Sequence, residues 1–217
     1  MADTKSGYHH GDLRAALIDA GLELTRAGGP DALSIRAATR RVGVSPNAAY
    51  RHFSDREALL TAVASAIQDR VAARMRSPRS GRRSPAAQAR HRLRAVGLGY
   101  IEFALDEPGW FTVAFFGANL NAVSDKTGAR LAPPYRALVE ALDAMVDAGV
   151  LAPQRRDGAE WSCWSAVHGF AELVLHGPLR EASRRDLESL GQRTVDDIIA
   201  GVSANVTAPE SLNAPMA

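Results

Sequence analysis

Residues Ser34 to Phe53 read Ser-Ile-Arg-Ala-Ala-Thr-Arg-Arg-Val-Gly-Val-Ser-Pro-Asn-Ala-Ala-Tyr-Arg-His-Phe, and their polar side chains suit contact with a DNA groove. On a short helix Ala49 and Phe53, four apart, pack inward, which leaves Pro46, Asn47, Ala48, Tyr50 and His52 free to meet a groove or a phosphate. The elements that must hold these groups are legible in the same stretch. Ser34 caps a first helix by accepting from a free backbone N–H of its opening turn, and Ile35, Ala38 and Val42 fall on one buried side. Gly43 supplies the left-handed turn and Val44 plugs the angle between the helices. Ser45 caps a second helix with Pro46 at its first position. Two short helices around a tight turn are the layout of a helix-turn-helix.

The flanks support that layout. Ser54-Asp55-Arg56-Glu57 fits a capping box, with the Ser54 hydroxyl and the Glu57 carboxylate satisfying backbone donors at the start of a third helix. Upstream, Leu13, Leu17, Ala20 and Leu24 form a helical stripe ended by Gly28-Gly29, so a preceding helix covers the apolar side of the pair.

On these residues Tyr8 to Leu60 resemble the DNA-binding domain of the TetR/AcrR family of bacterial repressors. The carriers are Tyr8-His9-His10-Gly11-Asp12-Leu13-Arg14, Val42-Gly43-Val44-Ser45, Tyr50-Arg51-His52-Phe53 and Arg56-Glu57-Ala58-Leu59-Leu60. The resemblance implies groove-facing positions at Arg36, Pro46, Asn47, Ala48 and Tyr50, with Ser45 counted among the DNA-binding residues where the recognition helix begins. Chemistry ranks them: Arg36 can bond guanine in bidentate fashion, Asn47 can pair with an adenine edge, and Ala48 can only touch a thymine methyl. Tyr50, His52, Arg56 and the Ser34 hydroxyl read as phosphate contacts, which position a protein without choosing sequence. His52 fits equally as part of the helix packing, and Arg51 as a solvated surface arginine. Tyr8, His9 and His10 either brush the DNA backbone or form an ordinary polar amino-terminal segment.

The charge supports a polyanion partner once it is divided along the chain. The net charge is only +2, but residues 1 to 94 hold 17 Lys and Arg against 8 Asp and Glu, +9, and residues 95 to 217 hold 9 against 16, −7. A basic first half favours contact with DNA, while the acidic remainder is repelled by it. Seven of the positive charges lie from Arg76 to Arg94, outside the helix-turn-helix, where they either form a solvated face or add long-range attraction.

Beyond residue 54 the pattern is helical throughout, so the fold class is all-α with about nine helices. Residues 1–54 form the DNA-binding unit, 55–76 a connecting helix, 77–204 a larger helical effector-binding and dimerisation domain, and 205–217 a flexible tail. Leu59, Val63, Ile67, Val71 and Met75 keep helical spacing, so the connecting helix is the natural lever. Ser77 to Ser84 is a basic, breaker-rich loop, and helices are expected over Pro85 to Asp106, from Pro108, and over Pro134 to Ala148, with an irregular connection from Asn119 to Ala132. The last two run over Gly158 to His176 and Ser183 to Ser203, split by Gly177-Pro178. Leu187, Leu190, Thr194, Ile198 and Val202 form a stripe on the last helix that serves either a four-helix dimer interface or the core. The family resemblance favours a homodimer, and a two-fold operator needs a two-fold protein.

Trp164-Ser165-Ala166-Val167-His168-Gly169 resembles the signature of the WHG subgroup of the same family, which extends the resemblance over most of the chain. Trp164 and His168 share a helical face, so with Trp110 and Phe116 they are candidates to border an effector cavity, and Gly169 permits another helix to approach closely. The bland alternative is that the indole and imidazole are satisfied core groups. Aromatic and acidic residues near such a cavity favour an apolar or cationic small-molecule effector.

Other chemistry finds little support. Cys163 and His168 are five apart and fall on different helical faces, a poor nucleophile and base pair. No glycine-rich phosphate loop follows a strand, and no His/Cys spacing suits zinc, so no cofactor or metal is expected. A single cysteine, an apolar-poor start at Met1 to Gly7 and no run near the roughly 18 to 20 apolar residues of a membrane span point to a cytoplasmic protein without membrane contact. Asn205-Val206-Thr207 is then a chance glycosylation sequon. The leading expectation is a ligand-released repressor bound to a double-stranded DNA operator. A small-molecule-binding or lipid-associated helical protein with a vestigial DNA module comes second, and a cofactor-free enzyme last.

Overall fold

The computed structural model describes residues 13–76, 83–116 and 132–204; the amino-terminal Tyr8-His9-His10, most of the Ser77–Ser84 loop, the Asn119–Ala132 connection apart from its last residue, and the tail from Asn205 lie outside them. Among the described residues there are nine α-helices and no strand: α1 Leu13–Gly28, α2 Ile35–Val42, α3 Pro46–Tyr50, α4 Arg56–Arg74, α5 Pro85–Asp106, α6 Pro108–Phe115, α7 Pro133–Asp147, α8 Ala159–Leu175 and α9 Arg184–Ser203.

Local chemistry sets most of these bounds. Ser34 Oγ accepts from the Ala37 N–H at 3.0 Å, and Gly43 closes α2 at φ 78°, ψ 30°, a conformation that costs a side-chain-bearing residue strain. Ser45 stands at the start of α3 without a side-chain capping bond, and Pro46 at the first position fixes φ for the helix start. The cap of α4 differs from the expected box by one residue. Asp55, not Ser54, accepts from the Ala58 N–H at 2.8 Å, while Ser54 Oγ donates to the other carboxylate oxygen at 3.0 Å. A carboxylate at a helix amino terminus gains from the macrodipole as well as the hydrogen bond, and those bonds hold the Asp55 carboxyl below its ordinary pKa. Ser84 and Ser183 cap α5 and α9 in the same manner.

α4 is the axis of the molecule. Its Leu59, Leu60, Val63, Ala64, Ile67 and Val71 are fully buried, and Met75 just beyond it nearly so. α1 crosses it so closely that a Cβ on Gly21 would overlap the Val63 side chain at 2.5 Å. α1 buries Leu22 and Thr25 as well as Leu17 and Ala20, because α6 covers a second face of it. One apolar core runs from Leu17 through α4 to Val202, and α5, α7, α8 and α9 pack around its distal half.

The stripe anticipated on α9 divides. Its Leu187 and Val202 are core and Ile198 packs against it, seated on α5 and α8, where Val195, outside the stripe, fills the space above Gly97. Leu190 and Thr194 belong to a different, outward face, so the stripe is not one surface. The arginine run also divides: Arg92 pairs with Glu140 at 2.8 Å and Arg94 with both oxygens of Asp196 at 2.6 and 3.1 Å. Those two charges tie α5 to α7 and α9 and are already neutralised locally.

Candidate nucleic-acid interface and effector cavity

The α2–α3 unit turns its apolar side inward. Ile35, Ala38, Ala49 and Phe53 are buried, with α2 and α3 packed on α1, and Val42 and Val44 are half-buried at the turn. The opposite side carries Ser34, Arg36, Ser45, Pro46, Asn47 and His52, all exposed, with Tyr50 at 54% exposure and Ala48 half-buried. Ser34 keeps its hydroxyl proton available, since its oxygen accepts in the cap. The burial of Ala49 and Phe53 requires the ring of Tyr50 and the amide of Asn47 to project outward.

Arg56 is placed differently from the expected phosphate contact. Its Nε donates to the Leu33 carbonyl at 2.9 Å, one terminal nitrogen to the Pro30 carbonyl at 2.5 Å, and the other to Glu57 at 2.9 Å. The guanidinium thereby staples α4 to the 3₁₀ turn Pro30–Ala32 and to the chain entering α2. Its partners lie 23 and 26 residues upstream, beyond the reach of local pattern reading. Two basic residues were not anticipated: Arg14 lies over the Phe53 ring at 5.3 Å from its centre, and Arg40 is exposed on the last turn of α2. Arg14 rides on α1 at the edge of the module. Its signal was its position one residue after the start of the helix.

The four aromatic candidates for a cavity do not come together. Trp110 faces away from it: its indole N–H donates to the Leu22 carbonyl at 2.8 Å, and Arg26 and Arg70 lie 5.1 and 4.6 Å from the ring centre. Trp110 therefore locks α6 to α1 and α4. On a helix it points about 100° away from its neighbour Phe111, which explains the split. Beside it, Arg26 forms a two-point pair with Glu107.

Phe116, His168 and Trp164 belong to a second cluster built around Tyr100. Tyr100 Oη and His168 Nδ1 are hydrogen-bonded at 2.8 Å, and the Tyr100 ring lies 5.2 Å from Phe111, Phe115 and Trp164. Burial holds the Tyr100 phenol well above its ordinary pKa and lowers that of His168, so both favour their neutral forms. Phe116, 45% exposed, stacks on the outer side of His168 at 5.2 Å.

Of the four, only Trp164 lines a small apolar void, together with Tyr100, Cys163, Leu138 and Gly97; its volume of about 20 Å³ has room for one water molecule. Tyr100 stands between it and His168. Burial pushes the Cys163 thiol from 9.0 up to about 11, and no charged residue lines the void. Two pKa units cut the thiolate about a hundredfold, so alkylation by iodoacetamide near neutral pH is expected to be at least about a hundredfold slower in the folded protein than in urea. Equal rates would mean that the void is open to solvent. A larger open groove of about 870 Å³ lies outside it, between the end of α4, the start of α5 and α7.

Gly169 leaves open space where its Cβ would stand, so the close helix approach anticipated there does not occur within the protomer. Around it, Ser162, Ala166 and Leu173 continue an outward face on α8, and Leu190, Thr194, Asp197 and Gly201 do so on α9. Among the described residues no helix is long and apolar enough to cross a membrane and no group of His, Cys, Asp and Glu could hold a metal ion.

Two family models match the chain: one described as bacterial regulatory proteins, tetR family, over residues 17–63, and one described as tetracyclin repressor-like, C-terminal domain, over residues 93–198. No curated protein matches it. Among solved structures, a protein of unknown function from Rhodococcus sp. RHA1 is 25% identical with a TM-score of 0.65, over 92% of this chain and 100% of that one. A tetR-family transcriptional regulator from Streptomyces coelicolor is 25% identical with a TM-score of 0.60, over 88% and 81%. A TetR variant from Acinetobacter baumannii AYE, solved in complex with minocycline, shares the fold at 21% identity with a TM-score of 0.61, over 87% and 94%.

Proposed function

This chain belongs to the TetR family of bacterial regulatory proteins, DNA-binding transcriptional regulators and not enzymes, and we propose that it acts as a homodimeric repressor released from its operator by a small-molecule effector. The observation that carries the reading is the α2–α3 unit, which hides Ile35, Ala38, Ala49 and Phe53 while leaving Arg36, Asn47 and Tyr50 exposed. Residues 1–54 serve as the DNA-binding domain, α4 as the connection, and the helices beyond residue 77 as the effector and dimer domain. The WHG assignment rests on Trp164 to Gly169 alone.

In this account α3 enters a major groove from each protomer, with half-sites roughly 34 to 36 Å apart or a multiple of that. Arg36 and Asn47 read base edges, while Tyr50, His52 and Ser34 fix the register on phosphates. The outward faces of α8 and α9 suit a four-helix dimer seam, since Leu173 and Leu190 are exposed apolar residues and Gly169 and Gly201 leave room for a close neighbour.

The effector needs only differential affinity for a dimer whose recognition helices no longer match the DNA. A factor of about 5 to 150 between the two forms corresponds to 1–3 kcal/mol. α4 can convey it because its amino-terminal half packs on α1, which holds α2 and α3, and Arg56 ties it to the chain entering α2, while its carboxy-terminal end reaches the groove and the void.

Two variants test the assignment of roles in a DNA titration run at several salt concentrations. Arg36→Ala is expected to cost about 1–3 kcal/mol on the preferred sequence and to relax base choice at one position. Arg56→Ala is expected instead to lower the unfolding midpoint, by about 1–3 kcal/mol for charge-assisted bonds to two backbone carbonyls, and to weaken all DNA sequences alike. Equal losses of selectivity in both variants, or a protein indifferent to sequence at every salt, would contradict the proposal.

A further inference from the structure

The open groove and the inner void share two lining residues, Met75 and Val96, so two side chains form the partition between them. Met75 is unbranched and moves between rotamers at little cost. With that partition displaced, the two spaces form one chamber with unlike ends. The inner end is apolar, bounded by Trp164, Leu138 and the neutral Cys163 thiol. The mouth is basic among the described residues: with Arg92 and Glu140 cancelling as a pair, Arg76 and Arg83 stand there beside Asp147. Gln88, also in the groove, has a buried amide oxygen with no hydrogen-bond partner among the described residues; turning the amide over presents its N–H₂ donors in place of that acceptor.

We infer that the effector is a small amphipathic organic anion, an apolar body ending in a carboxylate, whose tail enters beneath Met75 while its head group rests among the arginines at the mouth. This rests on the effector-release reading above and gives its site a chemical class. Of the expected apolar or cationic effector it keeps the apolar body and replaces the cation, because arginine excess at the mouth repels cations and offers planar, two-point donors to a carboxylate. The groove volume of about 870 Å³ is in the range of small-molecule sites. Met75 ends α4, so a tail that displaces it acts directly on the helix that carries the DNA module.

The test uses three probes of one chain length, decanoate, 1-decanol and decylammonium, each below its aggregation concentration, on the full-length protein. Binding is read by calorimetry and by tryptophan emission, and operator release by a fluorescence-anisotropy competition. Decanoate is expected to bind about tenfold or more tighter than the other two, the scale of one or two charge-assisted bonds. The doubly neutralised Arg76→Gln, Arg83→Gln protein, whose folding is checked by its melting temperature, should lose about that factor for decanoate and nothing for decanol. Decylammonium binding as well as decanoate, unchanged decanoate affinity in the double variant, or no binding of any probe would overturn the inference. Release of operator by decylammonium would overturn it while sustaining the effector reading. Decanoate that binds with the expected selectivity but leaves the operator occupied would support the chemical class and remove effector release.

Discussion

Phe111→Ala is expected to destabilise the protein by about 3–5 kcal/mol, the range for deleting a fully buried aromatic ring. Phe111 has no solvent exposure. Its ring meets Tyr100 edge-on at 5.2 Å and Phe115 at 4.7 Å, on a helix wedged between α1, α4 and α5. The neighbours are stiff rings and helix backbones that cannot collapse into the space, so the cavity cost adds to the lost transfer energy. Phe111→Leu keeps most of the volume and should cost less than about 1.5 kcal/mol. Urea titrations of the two variants and the parent, compared at constant slope, decide the matter. Similar midpoints for alanine and leucine would mean that α6 is not part of the continuous core.

Gly109→Ala is expected to have the second large effect, about 1–3 kcal/mol or more, by overpacking rather than by loss. A Cβ there would overlap the Arg26 carbonyl oxygen and stand 2.8 Å from that of Thr25. Both atoms are backbone, with no flexible side-chain end to move aside, so α6 must lift from α1. That displacement breaks the Trp110 bond to Leu22 and the Arg26–Glu107 pair together. Trp110→Phe, which keeps a ring but loses the N–H, should cost only about 0.5–1.5 kcal/mol. Melting curves should therefore rank Gly109→Ala below Trp110→Phe and both below the parent. A Gly109→Ala protein with the parent's melting temperature would show that the seam between α6 and α1 carries no load.

What the sequence disclosed, and what it concealed, follows the range of each interaction. Pro85, Pro108 and the Gly177-Pro178 break marked helix limits because proline and glycine act on their own backbone. The α4 stripe was plain because it repeats along one element, and the inward pair Ala49 and Phe53 because the two are four apart. Asp55 displaced Ser54 as the cap because both residue types suit the position and only geometry chooses between them. The bonds of Arg56, Trp110 and Tyr100 lay out of reach for one reason: their partners, Pro30, Leu22 and His168, lie 26, 88 and 68 residues away. The α9 stripe left two readings open because helical periodicity reports an apolar face without stating how many neighbours share it.

The central claim is that two copies of α3, held by one dimer, read two turns of a duplex. Selection of duplexes from a random pool by the full-length protein, at a salt near 0.15 M and then at higher salt, tests it most directly. The account predicts enrichment of a two-fold symmetric sequence with half-site centres about 10 to 10.5 base pairs apart or a multiple of that, and loss of that enrichment in Arg36→Ala. Binding that enriches no sequence at any salt, or one asymmetric site left unchanged by Arg36→Ala, would contradict it.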